Sequence, residues 1–545
     1  MPSVAEFLIE RMQNSGIKHV FGVPGDYVLQ FYKNLSDSPD IELVNTTDEA
    51  HAGFAADAYA RVHGMGCVCV TYNVGALKIA NSVACAYAER SPVVVISGSP
   101  GIKERSEGIL LHHMVRSFGC QKDVFENITC ASAVLDNPNR AGYEIDRVFE
   151  AMKHHKQPVY IELPRDVANK SLSYDVYKQG TPVAPPTDSE NLEEAIEEVT
   201  NWIAKAKNPV ILAGVQTARF GLGGELVKFA EKMNIPIATT LLSKSVVNET
   251  HPLFMGIYMG NSSHEHVRTA VEESDCLLMF GVLVTDTTTS FMPAKFSKRN
   301  IVSTSIEGLQ VKNHTFENVQ FADFCNALFK KEGLEKKTPT FKRTAPEGRP
   351  VFKPKADTPI KTSRFFEKIN SILTKEMSIV ADVGDSLFGS ADLIVHHKNA
   401  FVAPAFYTSM GVAIPGALGV QLAKPKSRVI ALVGDGAFQM SCTELSTIVR
   451  RGLNPIVFVL NNGGYTTERF LLDGPFNDIS NWRYDKVTEM IGGGVGVEVE
   501  TEEQLEAEVA NALASETLYI ISVKVDSRDI SPALARMTAG LSKRV

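Results

Sequence analysis

No apolar run in this 545-residue chain approaches the roughly 18–20 residues that a membrane-spanning helix needs. No two cysteines stand as CxxC, and the eight present are scattered, which argues against both a zinc site and a disulfide framework. Positive charge is not in excess: 55 Lys and Arg face 63 Asp and Glu, a formal net charge of −8, which argues against nucleic acid as the main partner. The amino-terminal MPSVAEFLIERMQNSG carries acids early and lacks the charged-then-apolar order of a secretory leader. Together these absences point to a reducing, cytoplasmic setting and to small molecules as partners, without membrane or nucleic acid. What remains is 44% hydrophobic and 22% charged, an ordinary globular composition able to bury sizeable cores.

Short continuous apolar runs alternate with helical patterns, the rhythm of doubly wound α/β units whose parallel strands are buried on both faces. Ser3-Val-Ala-Glu6 is a capping box opening a helix that closes near Gly16. HVFGV, ELVNTT, CVCVTYN, PVVVISG and PVYIELP read as strands, and DEAHAGFAADAYARVHG as a tightly packed, alanine-rich helix ending at Gly64. A polar, proline-rich passage near 176–192 precedes a second unit with strands in NPVILAGV, IPIATT and DCLLMFGVLV. Its GLGGE is only a fragment of a dinucleotide fingerprint. KKTPTFKRTAPEGRPVFKPKADTPIK, rich in Lys and Pro, is the clearest linker. The expected architecture is three doubly wound parallel-sheet α/β domains, at 1–178, 190–335 and 361–545, with a linker at 336–360.

Chemistry concentrates in the third unit. RVIALVGDGAF is a buried strand running into Gly434-Asp435-Gly436; Ser441-Cys-Thr-Glu444 looks like a second capping box; PIVFVLNNGGY is a further strand ending at Asn461-Asn462. Ligands of open parallel sheets gather at the carboxyl ends of strands, and one intervening helix makes Asp435 and Asn462 neighbours. A carboxylate, an amide oxygen and a backbone carbonyl suit a hard cation such as Mg²⁺, while the glycines let N–H groups approach phosphate oxygens. In the first unit, LLHHMV places two adjacent imidazoles in an apolar run. Neighbouring positions project in different directions, so the plain reading is one surface histidine and one core histidine, unless a loop presents both.

The GDG…NN pair resembles the diphosphate–magnesium motif of thiamine-diphosphate enzymes, and the resemblance extends through essentially the whole chain: a pyrimidine-binding domain, a middle domain and a diphosphate-binding domain. It implies that Asp435, the side chain of Asn462 and the carbonyl of Gly464 hold Mg²⁺, with Gly434, Gly436 and Ala437 seating the diphosphate and Asp385, in DVGDS, at the same end of the pocket. Glu49 matches the glutamate that hydrogen-bonds the pyrimidine ring and promotes its imino tautomer. A helix start favours its anion and an apolar pocket its acid, and burial is expected to dominate. Met410 matches the apolar residue that bends the cofactor, although by itself it reads as a core methionine. The carbonyl of Thr408, where many relatives carry glycine, would accept the pyrimidine amino group.

Within that family the histidine pair, together with Asp26 in PGDYV and Glu468 in NNGGYTTERF, resembles the pyruvate, indolepyruvate and phenylpyruvate decarboxylases. The implied reaction is non-oxidative loss of CO₂ from a 2-oxo acid to give an aldehyde. Asp26, His112 and His113 would relay protons, since imidazole titrates near ~6.5, and Glu468 would orient the substrate carboxylate and deliver a proton. Leu387, where pyruvate-specialised members often carry an aromatic residue, and FNDISNWRYDKV suggest a bulky aryl or branched-chain substrate; Leu387 could equally fill core. Two alternatives stand beside this reading: a carboligase of the acetolactate-synthase type, and a catalytically silent thiamine-diphosphate-binding subunit. The resemblance also implies a homodimer at minimum, assembled further into a homotetramer, with Glu49 and Asp435 serving one site from different chains.

Overall fold

The computed structural model describes residues 1–106, 108–172, 185–290, 296–338 and 351–541. Much of the proline-rich passage near 176–192 and of the linker at 336–360 lies outside the described residues. The first sheet contains β1 (His19–Gly22), β2 (Glu42–Asn45), β3 (Gly66–Val70), β4 (Val93–Ser99), β5 (Ala131–Val134) and β6 (Val159–Pro164), in the order β2-β1-β3-β4-β6-β5 and parallel throughout. β3, β4 and β6 are buried at every position, as expected of strands covered by helices on both faces.

The second sheet is built from β7 (Pro209–Ala213), β8 (Ile237–Thr240), β9 (Phe254–Tyr258), β10 (Cys276–Phe280), β11 (Ile301–Ser305), β12 (Gly308–Val311) and β13 (His314–Phe316), in the order β13-β12-β11-β10-β7-β8-β9. Here the fully parallel expectation needs correcting at one edge, because β11, β12 and β13 pair antiparallel. Only two residues separate β11 from β12, and such a connection can close a hairpin but cannot make the crossover that a parallel pair requires. Within GLGGE it is Gly223 that serves packing: a Cβ there would lie 2.6 Å from the Val246 carbonyl oxygen. The third sheet contains β14 (Met377–Ala381), β15 (Phe401–Val402), β16 (Arg428–Gly434), β17 (Ile456–Asn461), β18 (Val495–Val499) and β19 (Tyr519–Lys524), in the order β15-β14-β16-β17-β19-β18 and again all parallel. Among the described residues no helix is long and apolar enough to cross a membrane.

The capping box at Ser3 is present: Glu6 N–H donates to Ser3 Oγ at 3.2 Å and Ser3 N–H to the Glu6 carboxylate at 2.7 Å. That at Ser441 is not. The chain is already helical over Asp435–Ser441, so no free first turn is left there for such a box to satisfy. The Ser441 hydroxyl has no hydrogen-bond partner among the described residues. Glu444 instead reaches the first unit, where its Oε2 accepts from Thr47 N–H at 3.1 Å and Thr47 Oγ1 at 2.8 Å and lies 3.1 Å from His51 Nδ1.

The alanine-rich segment forms the helix Glu49–His63, buried from His51 through Ala60 and stopped by Gly64 at φ 109°. It crosses the helix Ala413–Ala423, and both contribute to one core shared by the first and third units. Small residues let the two backbones approach: a Cβ on Gly419 would lie 2.1 Å from the Ala55 carbonyl oxygen. Gly419→Ala is therefore expected to destabilise the fold by about 1–3 kcal/mol through overpacking against backbone, read as a lower Tm of the purified chain; an unchanged Tm would show that the crossing can relax.

Candidate active site

The carboxyl ends of β16 and β17 open on a cavity of about 260 Å³. Asp435 follows β16 directly and is 1% exposed. Its Oδ1 accepts from Gly436 N–H at 2.8 Å, and its Oδ2 from Asn462 N–H at 3.0 Å and Gly463 N–H at 2.6 Å. Burial pushes this carboxyl up to about 6, against the backbone donors that hold it down. Asn462 turns its Oδ1 toward Gly464 N–H at 3.3 Å. Gly464 is required by its surroundings, since at φ 153° a Cβ would lie 2.1 Å from the Asn477 carbonyl oxygen.

Gly434, Asp435, Gly436, Ala437, Asn462 and Gly464 all line the cavity, as do Asp385, Met410 and Glu468. Two observations bear on a diphosphate ligand. Ser386 Oγ is buried without a hydrogen-bond partner among the described residues and its residue lines the cavity, which leaves a donor for an anion. A Cβ on Gly436 would come 2.6 Å from the Tyr465 ring, so the wall is bare backbone by necessity. The donor set of carboxylate, amide oxygen and carbonyl is all oxygen, the chemistry of a hard divalent cation. Asp385 is committed elsewhere: its carboxylate accepts from Ser531 N–H at 2.7 Å and from the Ser531 hydroxyl, and burial raises it to about 6. Glu468 is exposed at the cavity. Leu387 is 0% exposed within the core and does not line this cavity.

A second group gathers in the first unit. His112 Nε2 lies 2.8 Å from Asp26 Oδ2 and His113 Nε2 3.9 Å from Asp26 Oδ1. The objection that adjacent residues face different ways is removed by the backbone: His113 is in the left-handed region, φ 65°, which turns both rings to one side with centroids 4.7 Å apart. Neither histidine is a core residue. Tyr27, buried beneath them, stacks on His112 at 4.7 Å with its hydroxyl 3.3 Å from Nδ1. The same hydroxyl donates to the His112 carbonyl at 3.3 Å. Arg165 lies over the Tyr27 ring and 3.6 Å from Asp26.

Glu49 opens its helix behind the N-cap Asp48, with Lys78 Nζ 3.3 Å from its carboxylate and 2.5 Å from that of Asp48. The sequence reading weighed burial and helix dipole on Glu49 and omitted this ammonium. Asp26, Glu49, His112 and His113 are absent from the cavity lining, which comes entirely from the third unit. One chain thus gathers the cofactor-type residues of the third unit other than Thr408 in one place and the acid–imidazole group in another. Thr408 is exposed and also outside the lining, at φ 54°, a conformation glycine adopts most easily.

Three family descriptions match successive parts of the chain: thiamine pyrophosphate enzyme, N-terminal TPP binding domain, over residues 2–122; central domain over 196–330; and C-terminal TPP binding domain over 382–523. An indole-3-pyruvate decarboxylase of Azospirillum brasilense is 33% identical over 543 residues, covering 98% of both chains. The chain belongs to the thiamine-diphosphate-dependent 2-oxo acid decarboxylase family. A probable pyruvate decarboxylase of Schizosaccharomyces pombe is 31% identical, with 98% of this chain and 95% of the relative covered, and pyruvate decarboxylase 1 of Pisum sativum is 32% identical, covering 98% and 92%.

For a member of this decarboxylase family, the acid the sequence reading passed over is Asp382. It is 0% exposed and accepts from Val383 N–H at 2.9 Å, Gly411 N–H at 3.0 Å and Ala413 N–H at 2.8 Å, tying the end of β14 to the turn that carries Met410. Its signal was in the quoted DVGDS, where two aspartates competed and the buried one could not be told from the other. Burial raises Asp382 to about 6, from an ordinary 3.8. A folded value above the unfolded one means the folded chain holds an extra proton between these limits, so this group's contribution to stability falls as pH rises from about 4 to 6. In the cofactor-free protein, the stability of wild type minus that of Asp382→Asn should therefore shrink by up to about 3 kcal/mol over that interval. Denaturation at several pH values measures it, and a difference independent of pH would refute it.

Proposed function

We propose that this decarboxylase converts a bulky 2-oxo acid to an aldehyde and CO₂ at sites completed by two copies of the chain. The observation that carries this reading is the separation within one chain: a cavity walled by the third unit alone, and an Asp26–His112–His113 group with Glu49 on the first unit, outside it. A homodimer that sets the first unit of one chain against the third of another would unite them; a homotetramer would be a pair of such dimers. All eight cysteines are free, in keeping with a reducing cytoplasm.

Asp435, Asn462 Oδ1 and the Gly464 carbonyl would hold Mg²⁺, with Ser386 Oγ and the backbone at Gly436 and Ala437 facing the diphosphate. Thiamine diphosphate, when bound, supplies a nucleophilic carbon and an electron sink for the departing carboxylate. Met410 would support the bend between its rings, the Thr408 carbonyl would face its amino group, and Glu49 would present its carboxyl to the pyrimidine. The relay group then handles protons. His112, held between Tyr27 and Asp26, and His113 beside it would carry the proton transfers. Glu468, on the other wall, would orient the substrate carboxylate. Preference for an aryl or branched-chain acid is supported by the indole-3-pyruvate relative and by the stretch FNDISNWRYDKV, with Phe476 and Trp482 exposed, and draws nothing from Leu387.

His113→Ala and Glu468→Gln should retain cofactor and slow aldehyde formation by about 10²-fold or more; near-wild-type turnover in both would remove the relay assignment. A rate panel with thiamine diphosphate and Mg²⁺ over oxo acids of rising bulk should favour phenylpyruvate or indolepyruvate over pyruvate, whereas a strong pyruvate preference, or acetolactate as product, would reverse the substrate reading. Mixing inactive Glu49→Gln and Asp435→Asn chains should restore part of the activity, because a mixed pair contains one intact site; no recovery after verified subunit exchange would argue that each site comes from a single chain.

A further inference from the structure

The loop that carries the histidine pair is exposed over most of residues 108–119, with Leu110 88% and Val115 62% exposed. A loop with so little packing does not hold a left-handed residue in place unaided. Behind it lies a buried polar chain that neither the sequence reading nor the reaction described above uses. Glu162 is 1% exposed in the middle of the apolar β6. Its Oε1 accepts from Arg105, just before the loop, at 2.9 Å, and its Oε2 from Gln121 Nε2, just after it, at 3.0 Å. Gln121, 0% exposed, accepts on its Oε1 from Asn73 N–H at 2.9 Å and Ser97 Oγ at 3.1 Å. Asn73, 1% exposed and itself left-handed at φ 48°, donates from Nδ2 to the carbonyl of His113 at 2.7 Å.

The Asn73 Oδ1 has no hydrogen-bond partner among the described residues. A buried amide that leaves one atom unpaired is costly to keep, and the bond its side chain does make ends on the peptide that orients both imidazoles. We propose that Asn73 is a positioning residue for the proton relay: braced through Gln121 by the Glu162–Arg105 pair, it holds the His113 peptide in its left-handed form so that His112 and His113 converge on Asp26. The inference rests on the relay reading of those histidines. It goes further in assigning their alignment to a residue buried behind them and outside the cavity lining.

Asn73→Gly tests the contact, because glycine adopts the same backbone without strain while the side chain, with its bond to the His113 carbonyl and its contact with Tyr72, is removed. In the holoenzyme its kcat should fall about 10-fold or more, as expected of a misaligned acid–base group. KM for the 2-oxo acid and the dissociation constant of thiamine diphosphate should stay within about twofold of wild type. Asn73→Asp, which keeps the size but sets an oxygen against the His113 carbonyl, should fall at least as far. Wild-type kcat in Asn73→Gly, or a loss of cofactor affinity and Tm in step with the rate, would overturn the proposal. His113→Ala separates the two levels: slow His113→Ala with fast Asn73→Gly removes the positioning role alone, and fast His113→Ala removes the relay and the positioning role together.

Discussion

The close crossing of Glu49–His63 over Ala413–Ala423 is the contact on which the rest of the molecule depends. Because Gly419 lies against the Ala55 backbone, the first and third units share one core and cannot shift independently. Glu444 secures the same junction with polar bonds, its carboxylate gripping Thr47 and His51 at the start of the helix. That start is where Glu49 stands. The acid attributed to pyrimidine activation is thus fixed by packing against its own chain's third unit, while the cavity of that unit opens elsewhere.

Two buried carboxylates near this junction are held in the same way. Among the described residues Asp382 and Asp435 pair with no cation; each is held by three backbone N–H groups supplied by turns at the ends of strands. Burial raises both, and the donors limit the rise. Such groups are oriented by backbone geometry, which moves little, and their unused lone pairs have fixed directions. The Asp26–His112–His113 group is built differently. It is partly exposed, in contact with Arg165, and ordered by one aromatic ring and one strained peptide. A rigid buried wall for a cofactor and an adjustable imidazole group for protons are different tasks, and the two environments differ accordingly.

Several features were legible because they are written in short range. The Ser3 capping box, the Gly64 helix stop, the continuous apolar strands and the Asp-Gly and Asn-Asn strand ends each involve residues only a few positions apart. Elsewhere the same kind of signal misled. Ser441-Cys-Thr-Glu444 has the letters of a capping box, yet the preceding residues were already helical and Glu444 found partners nearly 400 positions away. Of the two readings open for Leu387 the structure shows the core one, and Asp382, not only Asp385, closes β14 in a buried position.

By itself, then, the sequence determined the alternation of strand and helix, the α/β class and the oxygen-donor cluster at the ends of β16 and β17, because hydrophobic period and turn chemistry act within a few residues. Tertiary structure decided which buried acid holds the Met410 turn, that two adjacent histidines face one carboxylate, and that the acid–imidazole group stands apart from the cavity in a single chain. Each of those depends on bonds between residues dozens to hundreds of positions apart, and no local pattern encodes where such partners meet.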